Sequence, residues 1–207
     1  TVDAIDSISK TIVKHGTTSF LPTTMTVSIE QIKKSMHAIK ELKEKGTSGA
    51  QVLGAHLEGP FVSPSAIGAQ NPKYLLAPSI ETFNEMTAEC EDVVVSITLA
   101  PELNGSLNLI KHLSKKNINC SLGHTRATYE ETMEAIDAGA NHSTHLYNAM
   151  PPFNHRSPGI IGALFDSSKI TIETISDGIH ISYPALRIAY KQKSSDKSIL
   201  VTDAMMA

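Results

Sequence analysis

Glu58 stands in the run VLGAHLEG, residues 52–59, whose other members are mostly apolar. An ionised carboxylate taken out of water is costly unless it is paired, hydrogen-bonded or bound to a metal, so the position calls for a partner supplied from elsewhere in the chain. Candidates recur at the ends of other such runs. His124 closes INCSLGHT (118–125), His145 lies in HSTHL (142–146), Asp177 closes ITIETISDG (170–178) with His180 just beyond, and Asp203 ends SILVTDA (198–204). A lone histidine at a strand end is more often a hydrogen-bonded structural residue than a ligand. Two histidines and a glutamate converging on one face, however, supply the three protein ligands of an open catalytic metal site, with a position left for water. A cation there would neutralise Glu58.

The other histidines divide by position. His15, His37 and His112 fall on or at the ends of amphipathic helices and are expected in solvent, while His142, three residues before His145, is expected on the opposite face of an extended strand. His56 shares a face with Glu58 at period two. A hydrogen bond near the metal and a purely structural role both suit it.

The elements that must position these residues alternate regularly. Ile29, Ile32, Met36, Ile39 and Leu42 recur at helical spacing behind the capping pair Ser28 and Gln31, and Gly46 ends the helix. Thr128 and Glu131 cap a second stripe, Tyr129, Met133, Ile136 and Ala140, with Gly139 near its stop. Between helices lie strand-like runs: the four already quoted with VLGAHLEG, together with SFLPTT (19–24) and VVSITLAP (94–101). Strand–helix alternation of this kind implies parallel strands with right-handed crossovers. Seven strands, and an ending at TDAMMA where a last helix should follow, predict an α/β fold. It is a (β/α)8 TIM-type barrel in truncated form, lacking the first strand and the last helix, as one domain over 1–207. The opening TVDAIDS, without a methionine, agrees with a chain that begins inside a longer protein. A doubly wound open sheet is the alternative, but the glycine-rich phosphate turn of its dinucleotide-binding version is absent. In a barrel the active site forms at the carboxyl ends of the strands, where the polar residues above collect.

Bulk properties exclude several classes. The formal charge of −3 over 207 residues, with no basic stripe, argues against nucleic acid and against a polybasic membrane anchor. No apolar run of spanning length or signal-peptide pattern occurs. The two cysteines, Cys90 and Cys120, form no CxxC pair and suit reduced thiols in a cytoplasmic protein.

HLEGPF, SLGHTRATYEE, STHLYNAMPPFNHRSPG, ISDGIH and LVTDAM, in this order and spacing, resemble the N-acetylglucosamine-6-phosphate deacetylases of the amidohydrolase superfamily, from GTTSFLPTT to the end of the chain. The resemblance implies a metal-dependent hydrolase that removes acetate from a phosphorylated amino sugar. It assigns Glu58, His124 and His145 to one divalent metal ion, Asp203 to acid–base catalysis, and His180 to the substrate carbonyl. It assigns Ala69, Gln70, Asn148, Ala149, Arg156 and Asp177 to the sugar phosphate, partly across a homodimer interface. Zinc is the preferred ion, although the ligand types also suit iron, manganese or cobalt. Two departures follow from the comparison. Gln70 stands where the family motif has histidine, and the first barrel strand, with any metal site that needs it, is missing, as is the accessory β-sandwich. Rival readings are a binuclear amidohydrolase acting on a cyclic amide, disfavoured because VVVSITLAPE offers no bridging lysine, and a non-catalytic or inactive phosphosugar-binding fragment.

Overall fold

Helix starts follow the side chains that cap them. In the computed structural model, which describes residues 1–205, the Ser28 hydroxyl accepts from the Gln31 amide at the start of α2 (Ile29–Lys45), and Gly46 ends that helix with φ 85°. Both bonds of the Thr128–Glu131 capping box form ahead of α5 (Tyr129–Ala138). The remaining helices are α1 (Val2–Ile12), α3 (Ile80–Thr87), α4 (Ser106–Ser114), α6 (Gly159–Asp166) and α7 (Tyr183–Gln192).

The strands are β1 (Ser19–Phe20), β2 (Thr23–Thr24), β3 (Gln51–Val52), β4 (Ala55–Glu58), β5 (Val94–Leu99), β6 (Asn119–Leu122), β7 (His142–Ser143), β8 (Thr171–Ile175) and β9 (Ser198–Val201). Seven of them form one parallel sheet in the order β2-β4-β5-β6-β7-β8-β9, as the alternation predicts, and among the described residues β2 and β9 are its edges. The sheet is a curled part of a barrel. The first two runs differ from expectation, because each is broken in two. β1 and β3 pair with each other in a separate two-stranded ladder, and only β2 and β4 enter the main sheet. Pro22, which has no N–H to give a ladder, sits at the first break.

Register partners in a parallel sheet point to the same side, and here they sort the two faces by polarity. One row runs Thr23, His56, Ser96, Asn119, and the next runs Glu58, Thr98, Ser121, His142, Thr171. Every member of both rows is polar. The alternating positions Leu57, Ile97, Leu99, Cys120, Leu122 and Ile172 are buried under Ile32, Met36 and Ile39 of α2, Phe83 and Met86 of α3, and Leu109, Ile110 and Leu113 of α4. Each such side chain contributes about 1.5–3 kcal/mol on full burial. The helices therefore clothe the convex side, and the concave side is held by hydrogen bonds.

His142 belongs to that concave side, which corrects the opposite-face expectation. β7 ends at Ser143 and His145 has φ 29°, so the period of two does not carry across to it. The His142 imidazole instead bonds Thr171 Oγ1 and Glu173 Oε1, each at 2.7 Å. Burial pushes the Glu173 carboxyl up, but the hydrogen bond from His142 together with the charges of His142 and His56 outweighs this and holds it below its ordinary value. Its stabilising contribution is therefore complete above the unfolded value of about 4.3 and is lost as the pH falls through the lower folded value. Glu173→Ala is expected to cost about 2 kcal/mol at neutral pH, because the half-buried His142 imidazole loses its hydrogen-bond partner. Urea titrations should show the gap from wild type narrowing steadily as the pH is taken down below the ordinary carboxylate value of about 4.3.

Candidate metal centre

Glu58 is the last residue of β4, while His124 and His145 lie two residues beyond β6 and β7. In a flat sheet β4 and β7 would be three strand spacings apart, roughly 14 Å. Curling brings their side chains together. Glu58 Oε1 lies 3.0 Å from His124 Nε2 and 3.7 Å from His145 Nε2, and the two imidazole nitrogens are 3.2 Å apart. One donor atom from each residue falls within 4.8 Å of the others, and all three residues are buried.

Hydrogen bonding decides what this cluster can hold. His124 Nδ1 is 2.9 Å from the carbonyl of Ala66, to which it can only donate, so a neutral ring turns its Nε2 lone pair towards the Glu58 carboxylate. Two electron-rich atoms at 3.0 Å need a proton or a cation between them. Burial pushes the Glu58 carboxyl up, yet the bonds from His124 and His145 outweigh that and leave it well below the usual range. Burial lowers the His145 imidazole, and Glu58 more than reverses the effect. Protons can thus satisfy the cluster in part. A divalent cation would satisfy the carboxylate and both imidazoles together, so the donor set fits the metal that the sequence implies.

The surroundings hold these donors in place. Gln70 is buried, donates from Nε2 to Glu58 Oε1 at 3.0 Å and accepts from the Thr26 amide at 2.7 Å. Its amide is thus engaged with the carboxylate and the chain after β2, where the sequence led us to expect a sugar contact. Gly59 turns the chain off β4 with φ 84°, and a Cβ there would meet Thr26 Oγ1 at 2.1 Å. Gly68 passes His124 so closely that a Cβ would lie 3.0 Å from Cε1. Glu102, which the sequence did not single out, accepts from the Thr125 hydroxyl and, at 2.7 Å, from the Arg126 amide, clamping the loop that follows His124. The acid three residues beyond β5 was its one visible signal.

Backbone conformation marks the same region. Among the described residues seven non-glycine positions have positive φ, and five of them are His124, His145, Tyr147, Ala149 and Asp203. All five lie beyond the carboxyl ends of β6, β7 and β9. Each such position costs on the order of 1–3 kcal/mol, and such strain collects where a chain handles ligands.

Among the described residues, the side chains of the other expected residues make no hydrogen bond to the Glu58, His124 and His145 donor atoms. Asp177 Oδ1 accepts from the amides of Ile179 and His180 at 2.8 Å, and Oδ2 meets His180 Nδ1 at 2.7 Å. The His180 imidazole and these amides hold the Asp177 carboxyl down at about 2, and His180 Nε2 stays available. Asp203 is exposed, and its charge favours the protonated form of His145. Asn148 caps the turn with bonds to the carbonyls of His145 and Leu146, and the Ala149 carbonyl accepts from the Thr125 amide. Ala69 is exposed in the turn before Gln70. Arg156 is exposed, and its guanidinium has no partner among the described residues. His15 and His37 are exposed as expected, whereas His112 is half-buried.

Known proteins match this fold and these motifs. A profile described as the amidohydrolase family matches residues 1–206. The chain belongs to the amidohydrolase family. The N-acetylglucosamine-6-phosphate deacetylase of Bacillus subtilis is 42% identical over 206 residues, which make up 98% of this chain and 52% of that protein. An N-acetylgalactosamine-6-phosphate deacetylase of Escherichia coli is 35% identical over 99% of this chain and 54% of its own length. The crystal structure of N-acetylglucosamine-6-phosphate deacetylase from Pasteurella multocida superposes with a TM-score of 0.91 at 37% identity, covering 99% of this chain and 53% of that one. The chain thus spans about half the length of the relatives it matches. Amidohydrolases are metal-dependent, and among the described residues the Glu58, His124 and His145 donors form a group that could hold the ion. No described helix is long and apolar enough to cross a membrane.

Proposed function

We propose that the protein carrying this chain is a metal-dependent deacetylase of N-acetylglucosamine 6-phosphate, releasing glucosamine 6-phosphate and acetate. The observation that carries the reading is the convergence of Glu58, His124 and His145 from three strands of an amidohydrolase sheet. These residues would hold one divalent ion, with zinc preferred for two imidazoles and a carboxylate. The ion would supply Lewis acidity and bring the pKa of water from 15.7 towards about 7.

The remaining steps belong to side chains. Asp203 takes the proton of the attacking water and returns it to the amine nitrogen as the C–N bond breaks, a base-then-acid role that one carboxylate can fill. His180, oriented through Nδ1 by Asp177, offers Nε2 to the amide oxygen on which negative charge builds. Arg156 receives the phosphate through its planar fork, with Asn148 and the backbone of Ala69 and Ala149 lining the sugar. Gln70 acts on the sugar only indirectly, through Glu58. A homodimer completing the phosphate site, and residence in the cytoplasm, accompany this reading. The two free, buried cysteines agree with a reducing compartment.

The relative that acts on the galactosamine epimer gives the second reading. Purified protein, supplied with each sugar phosphate, should release acetate from the gluco epimer, lose that activity to a chelator and regain it with zinc. Faster release from the galacto epimer would transfer the assignment, and no acetate from either after zinc is restored would end it.

A further inference from the structure

Beside the metal centre, on the same strands, lies a hydrogen-bonded series to which the reaction assigns no role. Ser121, Thr144 and Thr98 are 1%, 2% and 0% exposed. Ser121 Oγ lies 2.6 Å from Thr144 Oγ1, which is 2.7 Å from Thr98 Oγ1, which is 2.7 Å from His56 Nε2. On the far side of the ring, His56 Nδ1 lies 3.3 Å from Thr23 Oγ1.

The direction of each proton follows from that end. Thr23 donates its hydroxyl proton to the carbonyl of Leu21 at 3.1 Å, so its oxygen can only accept from His56 Nδ1. A neutral imidazole protonated at Nδ1 presents a lone pair at Nε2, which takes the Thr98 proton. Thr98 must then accept from Thr144, and Thr144 from Ser121. A hydroxyl has one proton to give, so with a neutral ring every link is fixed in sense.

The series runs through the strands that carry the proposed ligands. His56 is two residues before Glu58 on β4, Thr98 is the register partner of Glu58 on β5, Ser121 precedes His124 by three residues, and Thr144 adjoins His145. The Thr98–Thr144 bond also reaches past β6, from β5 to the end of β7, and so acts as a chord across the curl. We propose that this series, with Thr98 at its centre, is the positioning frame of the metal ligands. It sets how far apart, and at what rotation, Glu58, His124 and His145 leave their strands. The proposal rests on the reading of those three residues as ligands. Metal–ligand distances tolerate deviations of only about 0.2 Å, so a frame built from directional bonds in a dry layer controls affinity in a way that general packing does not.

Thr98→Val keeps the shape of the side chain and removes its hydroxyl, whereas Thr98→Ser keeps the hydroxyl. Zinc affinity of the metal-stripped protein, measured by competition with a chromophoric chelator, is expected to fall about 10–100-fold in Thr98→Val and to stay within about threefold of wild type in Thr98→Ser. Thermal unfolding of the metal-free forms separates a frame from a merely structural role. A lower midpoint in Thr98→Val with zinc affinity kept within about twofold of wild type would overturn the proposal. Should Thr98→Val fail to fold by circular dichroism, Ser121→Ala carries the same comparison, since it removes only the terminal donor; a zinc affinity equal to wild type there would likewise overturn it. His124→Ala distinguishes the two levels of argument. Unchanged zinc binding in that variant defeats the ligand reading, whereas weakened binding there beside an unaffected Thr98→Val defeats the frame alone.

Discussion

Replacing His124 and His145 together by alanine is expected to remove the bound divalent ion while leaving the protein folded. Four-ligand structural zinc sites bind with about 10–16 kcal/mol, or about 3 kcal/mol for each ligand. Losing two ligands therefore corresponds to roughly four orders of magnitude in affinity. The fold should survive because Glu58 has an alternative to remaining an unpaired buried anion. With both imidazoles gone, burial drives its pKa up, and it can take a proton while Gln70 still donates to it. Elemental analysis of protein passed through gel filtration checks the outcome. Metal content equal to wild type in the double variant would remove both histidines from the ligand set.

Asp203→Asn should lower kcat by about a thousandfold, within the range that general acid–base catalysis ordinarily contributes, with KM nearly unchanged. Asparagine has the same shape and can still hydrogen-bond a sugar, but it cannot take a proton from water at neutral pH. The position suits such a role. Asp203 follows β9 in a left-handed conformation, φ 50°, and its charge reaches His145. Steady-state kinetics on substrate decide the matter. A variant with wild-type kcat would show that the proton moves through some other group, whereas equal losses in kcat and in phosphosugar affinity would place Asp203 in binding.

Much of this arrangement could be read in advance because local chemistry specifies it. Ser28 and Thr128 mark helix starts through bonds made within three residues, and the seven strands follow from alternation along the chain. Glu58, His124 and His145 could be picked out because their types and their places at strand ends are visible in one dimension. What was not visible depends on contacts between distant segments. Gln70 finds the Thr26 amide across 44 positions, and Glu102 finds Thr125 and Arg126 across more than 20. The left-handed backbone at His145, Tyr147 and Ala149 carries no glycine or asparagine signal, since it is imposed by the surrounding fold. Composition also obscured a pattern that was present. Glu58 stands out as a single acid in an apolar run, yet SITL and NCSL on the neighbouring strands alternate strictly, and Glu58 belongs to a complete polar row.

That row has a mechanical consequence. The usual eight-stranded barrel is filled from within by branched aliphatic side chains, so solvent exclusion pulls its strands inward from all sides. Here the apolar side chains of β4, β5 and β6 lie outside the strands, against the helices, and water-driven collapse presses on these strands mainly from one direction. The radius of the bend is then governed by the lengths of a few short bonds between hydroxyls and imidazoles, much as spokes govern a rim. Such a wheel is stiff at its hub, and the width of its mouth depends little on how tightly the tyre is packed.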